Sequence, residues 1–236
     1  MNETNANSLL VAILIVACVA LGAGLQFMAA SGNSGQPAVT ASTTTITQTA
    51  NPAIPLDNST PYVLNLVITT SNTFNSSVGD QPAYYVLGPG GSLQSSANIS
   101  LPAHRLVEVV ITNYDEGNDT PIQPQYANVT GTVNGTMSVV SDAAVNSTQG
   151  ASGIVVGRTQ TVSGLPDSVL SHTFTVPQMG LNLPVAAEST VIAYFRTGGP
   201  GTYSWTCMTP CGSDPGGLGG AMLAAGWMSG SLAVVG

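Results

Sequence analysis

STVIAYFRTGGPGTYSWTCMTPCG, residues 189–212, contains two runs rich in Val, Ile, Thr, Tyr, Phe and Trp, separated by a Gly-Gly-Pro-Gly turn and closed by two cysteines. β-branched and aromatic residues bounded by Gly and Pro are the signature of strands, and no helical period runs through them. The signature recurs on both sides of this stretch. Upstream lie YVLNLVITT (62–70), AYYVL (83–87) closed by GPGG, HRLVEVVITN (104–113) closed by YDEGNDTP, and HTFTV (172–176); downstream lies SGSLAVV (229–235). Weaker strands are expected at 132–140 and 153–157. Beyond residue 60 no segment offers three turns of amphipathic helix, so the chain reads as all-β, an antiparallel sandwich or barrel.

The polypeptide has 236 residues, enough for a membrane anchor and one sizeable domain. Charged residues make up only 6% of it: three arginines, no lysine and 11 acidic residues. Soluble domains usually carry about 25%. The surface must therefore be made of Ser, Thr, Asn, Gln and Gly, and there is no basic patch with which to bind nucleic acid. Few groups titrate between neutral pH and about pH 3, which suits an exterior domain to an acidic medium, as of an acidophile; a heavily glycosylated exterior protein without acid adaptation is the rival reading.

Residues 9–30, LLVAILIVACVALGAGLQFMAA, carry no charge and match the length of a membrane-crossing helix. No Lys or Arg precedes the run, and it exceeds the core of a cleaved leader, so an uncleaved anchor over 1–30 is expected. Cys18, inside it, reads as a small buried hydrophobe. Residues 31–60, rich in Ser, Thr, Ala, Asn and Pro, read as an extended linker. The domain at 61–236 is expected on the exterior face of a single-pass membrane protein. Asn58, Asn75, Asn98, Asn118, Asn128, Asn134 and Asn146 each open an Asn-x-Ser/Thr triplet after the anchor and are candidate glycosylation sites.

The chemistry-bearing residues are few. His, thiolate and thioether suit copper, and the chain offers His172 at the head of a strand, Cys207 at the end of another, Cys211 in the following loop, and Met222 and Met228 before the last strand. Cys207 and Cys211, separated by three residues that include a proline, can bridge metal ions or close a disulfide. His104, the second histidine, reads as a strand-edge residue, exposed or bonded to a backbone carbonyl. The glycine-rich GPGG and GGLGG open no helix in a βαβ unit and turn the chain. No nucleophile-elbow motif is present to support a hydrolase.

LPAHRLVEVVITNYD (101–115), SHTFTVPQMGLNLPVAAESTVIAYFRTGGPGTYSWTCMTPCG (171–212) and MSGSLAVV (228–235) together resemble the cupredoxins. Within them the chain is most similar to the copper domain of haem-copper oxidase subunit II, with some likeness to the archaeal sulfocyanins. The resemblance implies a cupredoxin-like Greek-key β-sandwich with one N-terminal transmembrane helix, interrupted by an insertion at about 116–169. It makes His172 the first copper histidine and Cys207 and Cys211 the bridging thiolates. Thr209 stands in the slot where the family uses a backbone carbonyl ligand from an acidic residue, and Met228 matches the axial methionine, with Met222 as its neighbour.

The pattern then departs from the family. Pro215 stands where the second imidazole belongs, Leu218 where the oxidase methionine belongs, and Leu223 where sulfocyanins place their histidine. The resemblance therefore implies a subunit II-like exterior domain of a respiratory terminal oxidase, a non-catalytic subunit if part of an oxidoreductase. Its metal site is degenerate: copper can be held by what remains, and a copper-free domain with a Cys207–Cys211 disulfide is the slightly favoured state. The expected partners are the membrane and a haem-copper oxidase core or other respiratory subunits. A tethered mononuclear copper electron carrier and a cell-surface structural sandwich are the alternatives.

Overall fold

The computed structural model describes residues 60–117, 120–141, 158–213 and 215–236. The expected anchor, the linker, Asn58, Asn118, Asn146 and the strand at 153–157 lie outside the described residues. Among the described residues no helix is long and apolar enough to cross a membrane.

Twelve strands follow one another among the described residues: β1 (Tyr62–Thr69), β2 (Ala83–Leu87), β3 (Leu93–Ser95), β4 (Asn98–Pro102), β5 (Leu106–Asn113), β6 (Met137–Ser141), β7 (Thr159–Val162), β8 (Leu170–Val176), β9 (Leu181–Ala186), β10 (Ser189–Arg196), β11 (Gly201–Thr206) and β12 (Ser229–Val235). They form a seven-stranded sheet in the order β3-β2-β1-β5-β10-β6-β7 and a five-stranded sheet in the order β4-β12-β11-β8-β9. The described residues thus form an all-β, two-sheet sandwich. Helix among the described residues is confined to short 3-10 turns.

Alternation puts the core between the sheets. In β5 the burial alternates residue by residue, with Val107, Val109 and Ile111 wholly inside, as a strand with one covered face should. Leu64, Leu66 and Ile68 of β1 and Val191, Ala193 and Phe195 of β10 join them from the same sheet. Trp205, Leu232 and Phe174 come from the other sheet. Trp205 is anchored by its indole N–H, which donates to Ser96 O at 3.0 Å.

The pairing is not purely antiparallel, as the sequence suggested. β1 runs parallel to β5 and β12 runs parallel to β4. The reason is that β4 leaves the first sheet for the second before the chain returns as β5. Leu101 of β4 and Val107 of β5 are both buried on the way.

The segment expected as an insertion contributes structure of its own. β6 pairs with β10 and β7 pairs with β6, so it widens the seven-stranded sheet by two strands. Its first part also covers the outer face of the other sheet. Asn182 of β9 donates to Tyr126 O and Asn128 O at 2.9 and 2.7 Å. As a result β8 is buried along its whole length, on both faces.

Candidate metal centre

β8 carries His172, and its pairing with β9 shifts register between Leu170 and His172. Such bulges turn a side chain out of the regular alternation. β11 delivers Cys207 at its end, where the backbone N–H donates to Met228 O at 2.7 Å. The loop then closes tightly. Cys211 N–H donates to Thr209 O at 2.9 Å, and Gly212 N–H donates to Gly217 O at 2.7 Å. Gly212 admits no side chain, since a Cβ there would meet Gly219 O at 1.8 Å.

These elements bring His172, Cys207 and Cys211 together, with their ligand atoms all within 4.8 Å of one another. His172 Nδ1 lies 2.9 Å from Cys211 Sγ, and the two sulfurs are 3.3 Å apart. All three residues are buried. Cys207 and Cys211 form no disulfide in this structure; such a bond would need about 2.05 Å between the sulfurs. The expected Cys207–Cys211 bond is therefore not formed here, because the loop holds the sulfurs side by side with Thr209 against both.

Asp115, which sequence reasoning read as part of a turn, completes the cluster. Its Oδ2 lies 2.9 Å from His172 Nε2. A neutral histidine whose Nε2–H is held by a carboxylate presents the lone pair of Nδ1 for ligation, here toward the sulfurs. Asp115 ends the NYD segment after β5, and its own N–H donates to Asn113 Oδ1 at 3.0 Å.

The electrostatics are those of a coupled acid–base set. Burial lowers the basicity of His172, but hydrogen bonds and negative charge from Asp115 and Cys207 outweigh it and raise the imidazole from 6.5 to about 9. Burial pushes the Cys207 thiol up, and hydrogen bonds from Cys211, His172 and Thr209 bring it well below its ordinary value. The hydrogen bond from His172 is the chief cause that holds Asp115 below the usual carboxylate range. Cys207 is thus held near its metal-binding thiolate form, whereas the His172 imidazole must give up a proton before it can ligate.

Around the donors sits a shell of hydroxyls and rings. Thr209 Oγ1 lies 2.8 Å from Cys211 Sγ and 3.0 Å from Cys207 Sγ, and donates to Ser171 O at 2.9 Å. Thr173 N–H donates to Cys207 Sγ at 3.3 Å, and Met208 N–H donates to Thr173 Oγ1 at 2.7 Å. The Tyr84 ring stands edge-on to His172 at 6.4 Å and to Trp205 at 5.1 Å. Its hydroxyl is buried without a hydrogen-bond partner.

The other expected ligands are placed less directly. Met228 is wholly buried and adjoins Cys207 through its backbone carbonyl. Met222 ends the 3-10 turn Gly220–Met222 and packs, half-buried, against the core. Leu218 and Leu223, in the slots of missing family ligands, are exposed, Leu223 by 80%. His104 is exposed, lies at the turn before β5 with φ of 54°, and stays outside the cluster. Trp205 and Trp227 are both fully buried in the core. The candidate glycosylation sites Asn98, Asn128 and Asn134 are exposed, and Asn75 is half-buried.

No protein-family model and no curated protein sequence matches the chain. Among solved structures it is similar to auracyanin B, 15% identical with a TM-score of 0.29 over 75% of this chain and 91% of that one. It is similar to a heme-copper terminal oxidase dimer, 12% identical with a TM-score of 0.33 over 98% of this chain and 95% of that one. A third likeness is to rusticyanin from Thiobacillus ferrooxidans, 13% identical with a TM-score of 0.28 over 75% and 79% of the two chains. At this distance the likenesses carry nothing about ligands or partners.

Proposed function

We propose that the chain is the exterior electron-transfer domain of a respiratory membrane complex, of the oxidase subunit II kind, with its centre reduced to a single-metal donor set. The observation that carries this reading is the convergence of His172 Nδ1, Cys207 Sγ and Cys211 Sγ within 4.8 Å, with Asp115 at the far side of the imidazole. A sandwich that served structure alone would gain little from burying a titratable triad, because such groups cost desolvation that apolar packing avoids. That argument favours a redox domain over a cell-surface structural role.

The donor set fits one soft ion. Two thiolates and one imidazole suit a soft ion such as Cu(I), and a second copper would need a second imidazole that Pro215 and Leu223 do not supply. His172, Cys207 and Cys211 would hold the ion, with Met228 the candidate for a weak further contact. Bound copper would supply one-electron transfer. The protein's part is to hold the donors in place, exclude water by burial, and fix the His172 tautomer through Asp115. The apolar run at 9–30 would tether the domain beside its haem-containing partner, while the linker at 31–60 would let it reach that partner.

The test is anaerobic Cu(I) loading of the full-length protein in detergent, with copper counted per chain, followed by oxidation. One copper per chain and a visible sulfur-to-copper absorption, both lost in Cys207→Ser, are expected. Purification from native membranes should bring haem-containing subunits with it. A chain that takes up no copper and carries no haem partner would overturn the proposal.

A further inference from the structure

Thr209 Oγ1 has three polar neighbours within 3.0 Å, namely Cys211 Sγ at 2.8 Å, Ser171 O at 2.9 Å and Cys207 Sγ at 3.0 Å. A hydroxyl has one proton to give and two lone pairs with which to receive. In the metal-free cluster the count closes. Thr209 donates to the Ser171 carbonyl, the Cys211 thiol proton is donated to Oγ1, and the Cys207 sulfur receives the Thr173 N–H.

Metal binding upsets that count. Two sulfur–metal bonds form, the Cys211 S–H bond breaks, and its proton leaves to bulk water. Ser171 O and both sulfurs are then acceptors only, all around one hydroxyl with one proton. If that proton stayed on Ser171 O, Oγ1 would face two thiolates at 2.8 and 3.0 Å with lone pairs against negative charge. We infer that Thr209 is the switchable donor of the centre: on metal binding its hydroxyl proton turns from the Ser171 carbonyl to a ligating sulfur and so determines how firmly the two-thiolate site holds its ion.

The surroundings leave few substitutes for it. Thr173 N–H already reaches Cys207 Sγ, at 3.3 Å, and is fixed by the β8 backbone. Thr209 is fully buried, so water does not compete for the turn. Charge-assisted bonds to thiolate are about twice as strong as neutral ones, so the loaded state gains by the exchange. Ser171 O retains the 3.9 Å approach of the Cys211 sulfur only while that sulfur carries a proton.

This inference rests on the metal-binding reading and refines it. The experiment compares full-length wild type, Thr209→Val and Thr209→Ser. Each is loaded with Cu(I), challenged with a Cu(I) chelator, and scanned by absorption after oxidation. Thr209→Val keeps the shape and removes the proton, and should release copper about tenfold faster or more, with a charge-transfer band moved to lower energy. Thr209→Ser restores the hydroxyl and should return both readouts toward wild type. Melting of the three metal-free proteins separates packing from donation, since a packing effect would lower the Tm of Thr209→Val without moving the band. A Thr209→Val protein that holds copper as firmly as wild type, with an unshifted band, overturns the inference while leaving the metal site standing. A wild type that takes up no Cu(I) overturns both.

Discussion

The two histidines of this chain, both close to a β-strand of the same sandwich, live in opposite circumstances. His172 is 2% exposed, sits past a register shift in β8, and has a carboxylate on one ring nitrogen and a sulfur on the other. His104 is exposed, occupies a left-handed turn at φ 54°, and contributes a backbone N–H to Gly198 O at 2.9 Å. The neighbouring Arg105 backbone and Thr197 do the work of holding that turn, with Arg105 N–H donating to Thr197 Oγ1 at 2.9 Å. The lesson is that the two rings differ in what surrounds them: the His172 ring nitrogens lie in a buried polar cluster, whereas at the His104 turn the buried polar partners, Arg105 and Thr197, hold backbone.

The largest test of that contrast is His172→Ala set beside His104→Ala. Removing His172 deletes one of three donors and leaves Asp115 facing a void in place of its partner. Breaking a buried pair costs about 3–5 kcal/mol; Asp115 retains 17% exposure, so a loss near the lower end, about 3 kcal/mol, is expected, together with abolished copper uptake. His104→Ala should change neither by a measurable amount. Urea unfolding and copper counting on the two variants decide it, and a matching loss in His104→Ala would erase the distinction.

Next in size is Asp115→Asn, which keeps the side chain's shape and removes its charge. Outer partners of a ligating histidine are worth about 10–100-fold in metal affinity, and that range is the expected loss. In the metal-free protein the same variant should flatten the pH dependence of stability. Asp115 is held below its ordinary value of 3.8 by His172, so its contribution is complete above that value and is lost as the pH falls below it. His172 is raised from 6.5 to about 9, so its contribution is complete below 6.5 and is lost as the pH climbs through about 9. Wild type should therefore be most stable between about pH 4 and pH 6.5 with respect to this pair. A pH series of urea midpoints that is the same in wild type and Asp115→Asn would show that the pair does not govern either limb.

Much of this architecture could be read from residues alone, and the parts that could not share a cause. β1, β2, β8, β10, β11 and β12 are apolar or aromatic runs between turn residues, and they occur where the sequence placed them. β3, β4, β7 and β9 escaped, because LQS, NISLP and TQTV are short and polar and LNLPVA carries a proline. Their strand state comes from partners across the sheet, and local preference does not encode partners. His172, Cys207 and Cys211 were legible because sulfur and imidazole are rare here. Asp115 was not, since it lies 57 positions from His172 and only the folded sheet brings the two together. Thr209 was legible as a position in the loop, but its contact with both sulfurs depends on how tightly that loop closes.

The smallest effect concerns two adjacent tyrosines of β2 that sharpen the same contrast at the scale of one hydroxyl. Tyr84 and Tyr85 are both buried. The Tyr85 hydroxyl donates to Ser71 O at 2.9 Å and accepts Thr73 N–H at 2.7 Å. The Tyr84 hydroxyl has no partner and lies near enough to Cys207 and Cys211 that their negative charge adds to burial in pushing its pKa well above 10.0. A buried hydroxyl without a hydrogen bond costs about 1–3 kcal/mol, whereas a paired one is worth about 1 kcal/mol net. Tyr84→Phe should therefore raise the stability of the metal-free protein by about 1 kcal/mol, with Tyr85→Phe lowering it by a similar amount. For a domain of this size those changes correspond to about 2–4 °C of Tm in opposite directions. Because both substitutions keep the ring, packing against His172, Trp205 and Phe74 is retained, and the sign of the difference reports the hydroxyl alone. Thermal melts of the two variants that moved the same way would mean that the Tyr84 hydroxyl is satisfied in solution, and the metal end of the sandwich would then be as fully paired as the rest.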